Sequence, residues 1–383
     1  MAQSSSPSSF FEIRDIVKTE FEPKDAYMEE GVPTFIISLT SNFKEKIENL
    51  RLKLKQQGYG IIIRQTDAGI MLLAFTVAPT TIQHKRTLSL NYPLILFLAT
   101  IITVAVSGYF IASNYLSILL ILGKIKPGDT ASFLWRQTAL YTLAVMCIVG
   151  LHELGHTIAC RVNHVEASFP IFIPGIPGVT LGTFGAVIRQ KGPALNRDQL
   201  FEIGFSGPVI GFVTSLIVSY FGYSMSLPVS RAEYDLVGLT VGPSQVIYLP
   251  LIFMLLGPYL LPSSPSSFIY FLHPLALAGW IGTLITFLNI FPIGQLDGGH
   301  VARAVLGPRL HKTVSYIATL VMILTGWWSM ALLAILLVRF EHPGALDDVS
   351  PVSRNKKILV LLAVAIFFSC LTLAPDSPIS LFI

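Results

Sequence analysis

Apolar residues divide the 383-residue chain into two unequal parts. From Phe10 to about residue 85 they are interspersed with charge, and no run is long enough to enter a bilayer. Phe10 to Phe21 allows a short helix, and Pro33 to Leu39 is rich in β-formers. Ser41 to Gln57 carries Phe43, Ile47, Leu50 and Leu54 at helical spacing and stops before Gly58. Tyr59 to Arg64 and Gly69 to Val77 read as a hairpin around Thr66-Asp-Ala-Gly69. The pattern predicts a small soluble α+β domain over residues 10–85, after a Ser/Pro-rich tail over 1–9 expected to be disordered. The domain has two readings: it recognises substrate or regulates access, or it is a packing appendage.

From Tyr92 the pattern changes. Apolar runs of bilayer-spanning length lie near 93–113, 138–160, 203–222, 275–295, 314–338 and 357–374. Residues 169–187 are apolar but crowded with Pro and Gly, which suits a re-entrant hairpin better than a helix. Such backbone is tolerated at membrane depth only where protein or a water-filled cavity satisfies it. Residues 245–261 are short and carry Pro250, Gly257 and Pro258. The expected fold is an α-helical polytopic membrane protein over residues 92–374, with about six spanning helices plus re-entrant segments, and the small α+β domain at its N-terminus.

Composition agrees with this reading. Only 13% of residues are charged, against roughly 25% in soluble domains. A net charge of +4 without a long basic run gives nucleic acid no electrostatic footprint. Cys147, Cys160 and Cys370 sit in or beside apolar runs, form no C-x-x-C pair, and read as small buried apolar residues. The first residues lack the basic-then-apolar layout of a secretory signal, so no cleavable signal is expected. Lys and Arg are nearly balanced between alternate loops, so the positive-inside rule sets no orientation.

The second apolar run contains His152-Glu-Leu-Gly-His156. Histidines at i and i+4 share a helix face and can hold one zinc ion through their imidazoles. Glu153 is then placed to take a proton from a water on the metal, whose pKa zinc lowers to about 7. Two histidines and a glutamate in an apolar span are costly unless paired or metal-bound. A catalytic zinc site needs a third protein ligand and an open fourth position. His164 lies about 120° around the helix from His152 and reads as a polar residue at the membrane edge. Asp297, in Asn289-Ile-Phe-Pro292-Ile-Gly294-Gln-Leu-Asp297-Gly298-Gly299-His300, is the better candidate, and no other acidic residue lies between 236 and 340. Its bland reading is an Asp-Gly turn ending a helix. His300 ranks second as a ligand. Pro292 should kink the chain, and the glycines permit unusual angles and close approach.

Both motifs lie at the C-terminal ends of their spans, which must run the same way to meet at one metal. With 203–222 as the single return crossing they do, so 245–261 is expected not to span fully. Residues 230 and 268 then lie on the same side.

His152-Glu-x-x-His156, then Phe205-Ser-Gly-Pro208-x-x-Gly211, then Asn289-x-x-Pro-x-x-x-Leu-Asp-Gly-Gly, resembles the site-2 protease family of intramembrane zinc metalloproteases. Its archaeal, cyanobacterial and plastid branch is similar also in His273-Pro-Leu-Ala-Leu-Ala-Gly-Trp280, Gly182-Thr-Phe-Gly-Ala186 and the Asn196-Arg197 region. The resemblance covers about residues 92–374. It implies His152, His156 and Asp297 as ligands of one zinc and Glu153 as the catalytic base. Asn289 matches a position associated with polar contacts to substrate or transition state; its other reading is a side chain bonding a carbonyl freed near Pro292. The implied substrates are transmembrane segments of membrane proteins, and the implied location is an integral membrane one, in a prokaryotic cell membrane.

Residues 169–187 also keep two readings: a strand edge that holds an extended substrate, or a structural plug. The competing functions are a membrane metal transporter, which would place ligands along a pathway through several spans, and a catalytically inactive scaffold of the same fold.

Overall fold

The structure, a computed structural model, describes residues 7–67, 69–76, 91–178, 180–241, 248–260 and 269–372. Residues 1–6 of the expected tail, Ala68 of the hairpin turn, Val77 and the following residues to 90, residues 245–247 and 261 of the short apolar stretch, and 373–374 lie outside them. Helix α1 (Pro7–Lys18) begins three residues inside the tail expected to be disordered. It is followed by β1 (Asp25–Glu29), β2 (Val32–Ile37), α2 (Phe43–Gln56), β3 (Tyr59–Thr66) and β4 (Gly69–Thr76). The strands form one antiparallel sheet in the order β1-β2-β4-β3. Its hairpin closes with Thr66 opposite Gly69. The apolar stripe of α2 and alternate residues of β2, β3 and β4 bury Phe35, Ile37, Leu50, Leu54, Ile63 and Leu72 completely.

Two long apolar helices follow, α3 (Asn91–Ile121) and α4 (Thr130–Val162). The Pro/Gly-rich stretch folds as β5 (Ile171–Pro174) and β6 (Thr183–Val187), paired antiparallel with Ile171 opposite Val187. Side chains of the neighbouring helices satisfy its backbone: Thr103 Oγ1 donates to the Gly182 carbonyl (2.6 Å) and Tyr141 Oη to that of Leu181 (3.2 Å). This is how extended chain is tolerated among apolar helices. α5 (Arg197–Ser224) is capped by Asn196, whose Oδ1 accepts from the Gln199 amide, while Gln199 Oε1 reaches back to accept from the Leu195 amide.

Next come β7 (Leu227–Val229), α6 (Arg231–Val241), α7 (Leu251–Leu260) and β8 (Ile269–Phe271). α7 has ten residues, about 15 Å at 1.5 Å per residue, too short to cross. β7 pairs β8 with Val229 opposite Ile269, which holds the two ends of this excursion side by side, as a shared site requires. α8 (Pro274–Ile290) returns to the level where α5 began. α5 and α8 approach through small residues: a Cβ on Gly279 would lie 2.1 Å from Ser219 Oγ, one on Gly282 2.2 Å from Ser215 Oγ, and one on Gly222 2.2 Å from the Ala276 nitrogen. Small residues allow such contact where lipid supplies no drive for helix association.

α9 (Asp297–Leu324), α10 (Trp328–Arg339) and α11 (Arg354–Ser369) complete the chain. α9 is kinked at Gly307, whose φ is +77°. Of the six expected spans, three are, among the described residues, helices long and apolar enough to cross a bilayer: Tyr92–Ile121, Pro127–Val162 and Arg197–Ser224. The other three are shorter or broken. The run expected over 275–295 is helical only to Ile290, and that over 357–374 only from Arg354 to Ser369. The run over 314–338 is two helices joined at Thr325–Trp327, where Gly326 takes a φ of +84°. The chain therefore doubles back, and residues 340–353 return to the side from which α9 set out.

That return joins the N-terminal sheet to the helices. The Leu346 and Asp347 amides donate to the carbonyls of Ala194 and Leu195, the Ile63 amide donates to Leu346 (2.8 Å), and the Asp348 amide donates to Ile63. Residues 346–348 thus act as an extra strand between the β3 edge and the start of α5, covering an edge that would otherwise be unpaired. Buried Asp348 pairs with Arg303 of α9 and Arg197 of α5.

Candidate metal centre

His152, Glu153 and His156 lie on α4 ten residues or fewer from its end, and all three are buried. The other half of the centre is built by the chain between α8 and α9. After Ile290 the backbone turns sharply: the Ile293 amide donates to Phe291 (2.7 Å), the Leu296 amide to Ile293 (3.0 Å), and Gly294 takes a φ of +50°. Ser315 on the far part of α9 pins this bend, donating to the Pro292 carbonyl (3.0 Å) and accepting from the Gly294 amide (3.3 Å). Asp297 is the first residue of α9, a correction to its expected place at the end of the preceding span. A Cβ on Gly298 would lie 1.9 Å from the Ile290 carbonyl oxygen, and one on Gly299 2.3 Å from that of Gly294. The first turn of α9 thus rests on bare backbone, and larger residues would push Asp297 away.

The three candidate ligands meet. His152 Nε2 and His156 Nε2 are 3.2 Å apart, and Asp297 Oδ2 lies 3.2 Å from the first and 3.3 Å from the second. A tetrahedral zinc with bonds of about 2.0–2.1 Å has donor–donor edges of about 3.3 Å, so this triangle is the size of one face of that polyhedron. The donor set also suits zinc: two imidazole nitrogens and a carboxylate. His156 Nδ1 donates to the Ile203 carbonyl (2.7 Å), which fixes the tautomer that leaves the Nε2 lone pair free. His152 Nδ1 is buried, with no hydrogen-bond partner among the described residues.

α5 presses on the triangle from behind, with one glycine at each corner. A Cβ on Gly207 would lie 2.1 Å from His156 Nε2, one on Gly211 2.8 Å from His152 Nδ1, and one on Gly204 2.7 Å from the Asp297 carbonyl oxygen. Sequence reasoning singled out none of these for the centre, nor the Ile203 carbonyl; their nearest signal was the spacing of small residues in Gly204-Phe-Ser-Gly207-Pro-Val-Ile-Gly211.

A cavity of about 300 Å³ opens beside the triangle. Glu153 and Asn289 line it, together with Gln295, His300 and residues 186–188 of β6 and its continuation. The backbone amide of Ile188 faces the Glu153 carboxylate. His300 shares the cavity but not the triangle: its Nδ1 donates to the Leu296 carbonyl and its ring packs edge-on against His342. His164 lies beyond the end of α4, exposed, with a φ of +54°. The centre can thus hold one metal ion, present a carboxylate to a neighbouring water, and offer a strand edge alongside.

Comparison with known proteins points the same way. The sequence pattern of peptidase family M50 matches residues 140–333, which include both motifs. The chain belongs to peptidase family M50. Its resemblance to site-2 proteases agrees with that match. It is 32% identical over 241 residues to probable zinc metalloprotease EGY1, chloroplastic, of Arabidopsis thaliana, covering 60% of this chain and 42% of that one. It is 28% identical over 236 residues to probable zinc metalloprotease EGY2, chloroplastic, of Oryza sativa subsp. indica, covering 59% and 40%. It is 24% identical over 247 residues to probable zinc metallopeptidase EGY3, chloroplastic, of Arabidopsis thaliana, covering 61% and 42%. The chain thus spans about two-fifths of the length of these relatives. Their chloroplastic names give the expected prokaryotic cell membrane no support. No solved structure matches the chain.

Proposed function

We propose that this M50 chain is a zinc-dependent endopeptidase that hydrolyses peptide bonds in or near transmembrane segments of membrane proteins. The observation that carries the reading is the triangle of His152 Nε2, His156 Nε2 and Asp297 Oδ2, sized for one tetrahedral ion, with Glu153 on the same cavity. In this reading His152, His156 and Asp297 hold the metal. Zinc there supplies a Lewis acid and eases the ionisation of water near neutral pH.

The remaining steps belong to the chain. Glu153, one residue after the first histidine, takes a proton from the attacking water and returns it to the leaving amine. The Ile188 amide keeps that carboxylate turned into the cavity. Asn289, which lines the same cavity, presents its amide to the substrate carbonyl. A helical substrate hides its carbonyls, so it must be extended at the cut. The outer edge of β6, without a strand partner among the described residues and continuous with the cavity wall, holds it by strand addition. Three helices long and apolar enough to cross a bilayer support a reaction within or beside it. The N-terminal sheet, tied to the start of α5 through residues 346–348, regulates access.

A metal transporter would need further ligand groups along a path; among the described residues this is the one cluster of three close enough for an ion. The test is cleavage of a synthetic transmembrane peptide by purified protein, with metal analysis alongside. Glu153→Gln should keep one zinc per chain and lose cleavage by about 10²-fold or more. Full activity in that variant, or zinc flux into sealed liposomes without cleavage, would end the proposal.

A further inference from the structure

A second cavity, of about 610 Å³, adjoins the α8–α9 bend through Gly294 and Ser315 and lies at the open end of the hairpin formed by α9 and α10. Arg64, Arg303, Lys312 and Arg339 line it, against Glu341 and Asp348. With histidines neutral, four cations against two carboxylates leave a formal charge of +2.

Two of the cations are committed to holding the wall. Arg303 forks onto Asp348, and Arg64 donates to the carbonyls of Pro343, Ala345 and Leu346. Lys312 and Arg339 are exposed and have no ion-pair partner among the described residues. His342, also on the cavity, supplies an independent sign of a missing acceptor. Its Nδ1 accepts from the Gly344 amide (3.0 Å), so the proton of the neutral ring sits on Nε2. That Nε2 is buried and has no hydrogen-bond partner among the described residues. Burial, with His300, His311 and Arg303 nearby, pushes the ring's pKa down to about 2, which keeps it neutral. Two free cations at one cavity, with an unpartnered N–H buried in its wall, suit a phosphate.

The surroundings say where the phosphate comes from. Lys312 and Arg339 end the two arms of a hairpin whose faces are apolar and exposed along their length, with Ile317, Leu320, Leu332 and Leu336 outward. Tyr316 and Phe340, 56% and 66% exposed, stand at the rim. Cations at the ends of lipid-facing helices lie at headgroup depth. We propose that this cavity binds the phosphate of one anionic phospholipid, whose acyl chains lie along the α9–α10 hairpin. The inference does not depend on the hydrolase reading.

The test uses the full chain reconstituted in nanodiscs of phosphatidylcholine with phosphatidylglycerol, followed by native mass spectrometry of retained lipid. Wild type should keep one phosphatidylglycerol, and inorganic phosphate at millimolar concentration should not displace it. Lys312→Ala/Arg339→Ala should lower retention roughly thirtyfold, about fivefold for each cation. His342→Phe, which keeps a ring but removes the donor, should also lower it, whereas Lys124→Ala on the distant α3–α4 turn should not. Equal retention by wild type, the double variant and His342→Phe would overturn the proposal. So would phosphate binding, measured calorimetrically in phosphatidylcholine alone, without retained phosphatidylglycerol, because the ligand would then be a soluble anion.

Discussion

Replacing Gly207 by alanine tests whether α5 sets the position of the metal donors. The added carbon would stand 2.1 Å from His156 Nε2, with the two flanking ring carbons at 2.5 and 2.6 Å. Ordinary contact begins at about 3.4 Å, so the imidazole or the helix must yield by more than 1 Å. Metal sites tolerate about 0.2 Å in donor position. The helix itself would welcome the change by up to ~1 kcal/mol, partly offsetting an overpacking cost of about 1–3 kcal/mol, so the protein should still fold. Gly207→Ala should therefore lose zinc affinity by about 100-fold or more, beyond the usual effect of disturbing a ligand's support, and lose cleavage in parallel. Gly211→Ala, with its methyl 2.8 Å from His152 Nδ1, needs a smaller shift and should lose roughly tenfold. Gly238→Ala on α6, where a Cβ meets nothing within 4 Å, should lose nothing. The assay is zinc retention against a graded series of chelators, with thermal unfolding as the folding control. Wild-type zinc affinity in folded Gly207→Ala would show that α5 does not set the position of these donors.

Three further outcomes follow from the water-side framework. Ser315→Ala strips the Pro292 carbonyl and Gly294 amide of their shared partner; thermal or denaturant unfolding should show a loss of about 1–3 kcal/mol, and zinc affinity should fall with it. Asp348→Ala leaves buried Arg303 and its neighbour Arg197 uncompensated and should cost about 3–5 kcal/mol, whereas the apolar pair Arg303→Met/Asp348→Leu should recover part of that loss, because only Arg197 is then left without its carboxylate. His342 has a folded-state pKa pushed far below its ordinary 6.5, so the unfolded chain binds more protons in acid. Its contribution is complete above about pH 6.5 and is lost on acidification at roughly 1.4 kcal/mol per pH unit; between pH 6.5 and 5, His342→Asn should unfold with a pH dependence smaller by one proton, and equal slopes would contradict this.

What could be read along the chain was whatever left a local signature. The histidine pair is visible because i and i+4 share a helix face, and Asp297 because no other acid lies between Asp235 and Glu341. The β3–β4 hairpin and α2 carry clear alternation and helical spacing. Strand β1 was missed because four of its five residues are exposed, so it shows no apolar alternation. The break at Gly326 was missed because apolar residues continue through the turn and hydropathy averages across it. Asp297 begins a helix rather than ending one because its first turn packs on the backbone of the α8–α9 bend, a contact made by glycines and carbonyls that periodicity does not register. The pairing of Ile63 with Leu346 and Asp348 joins segments nearly 300 residues apart and has no local pattern either.

Whether one zinc ion is held by His152, His156 and Asp297 can be read from anomalous diffraction at the zinc edge, using crystals of the purified chain. A single strong peak is expected about 2.0–2.2 Å from both histidine Nε2 atoms and an Asp297 oxygen, and should be absent in Asp297→Ala. A peak that leaves Asp297 uncoordinated, or that survives unchanged in that variant, would rule this ligand set out.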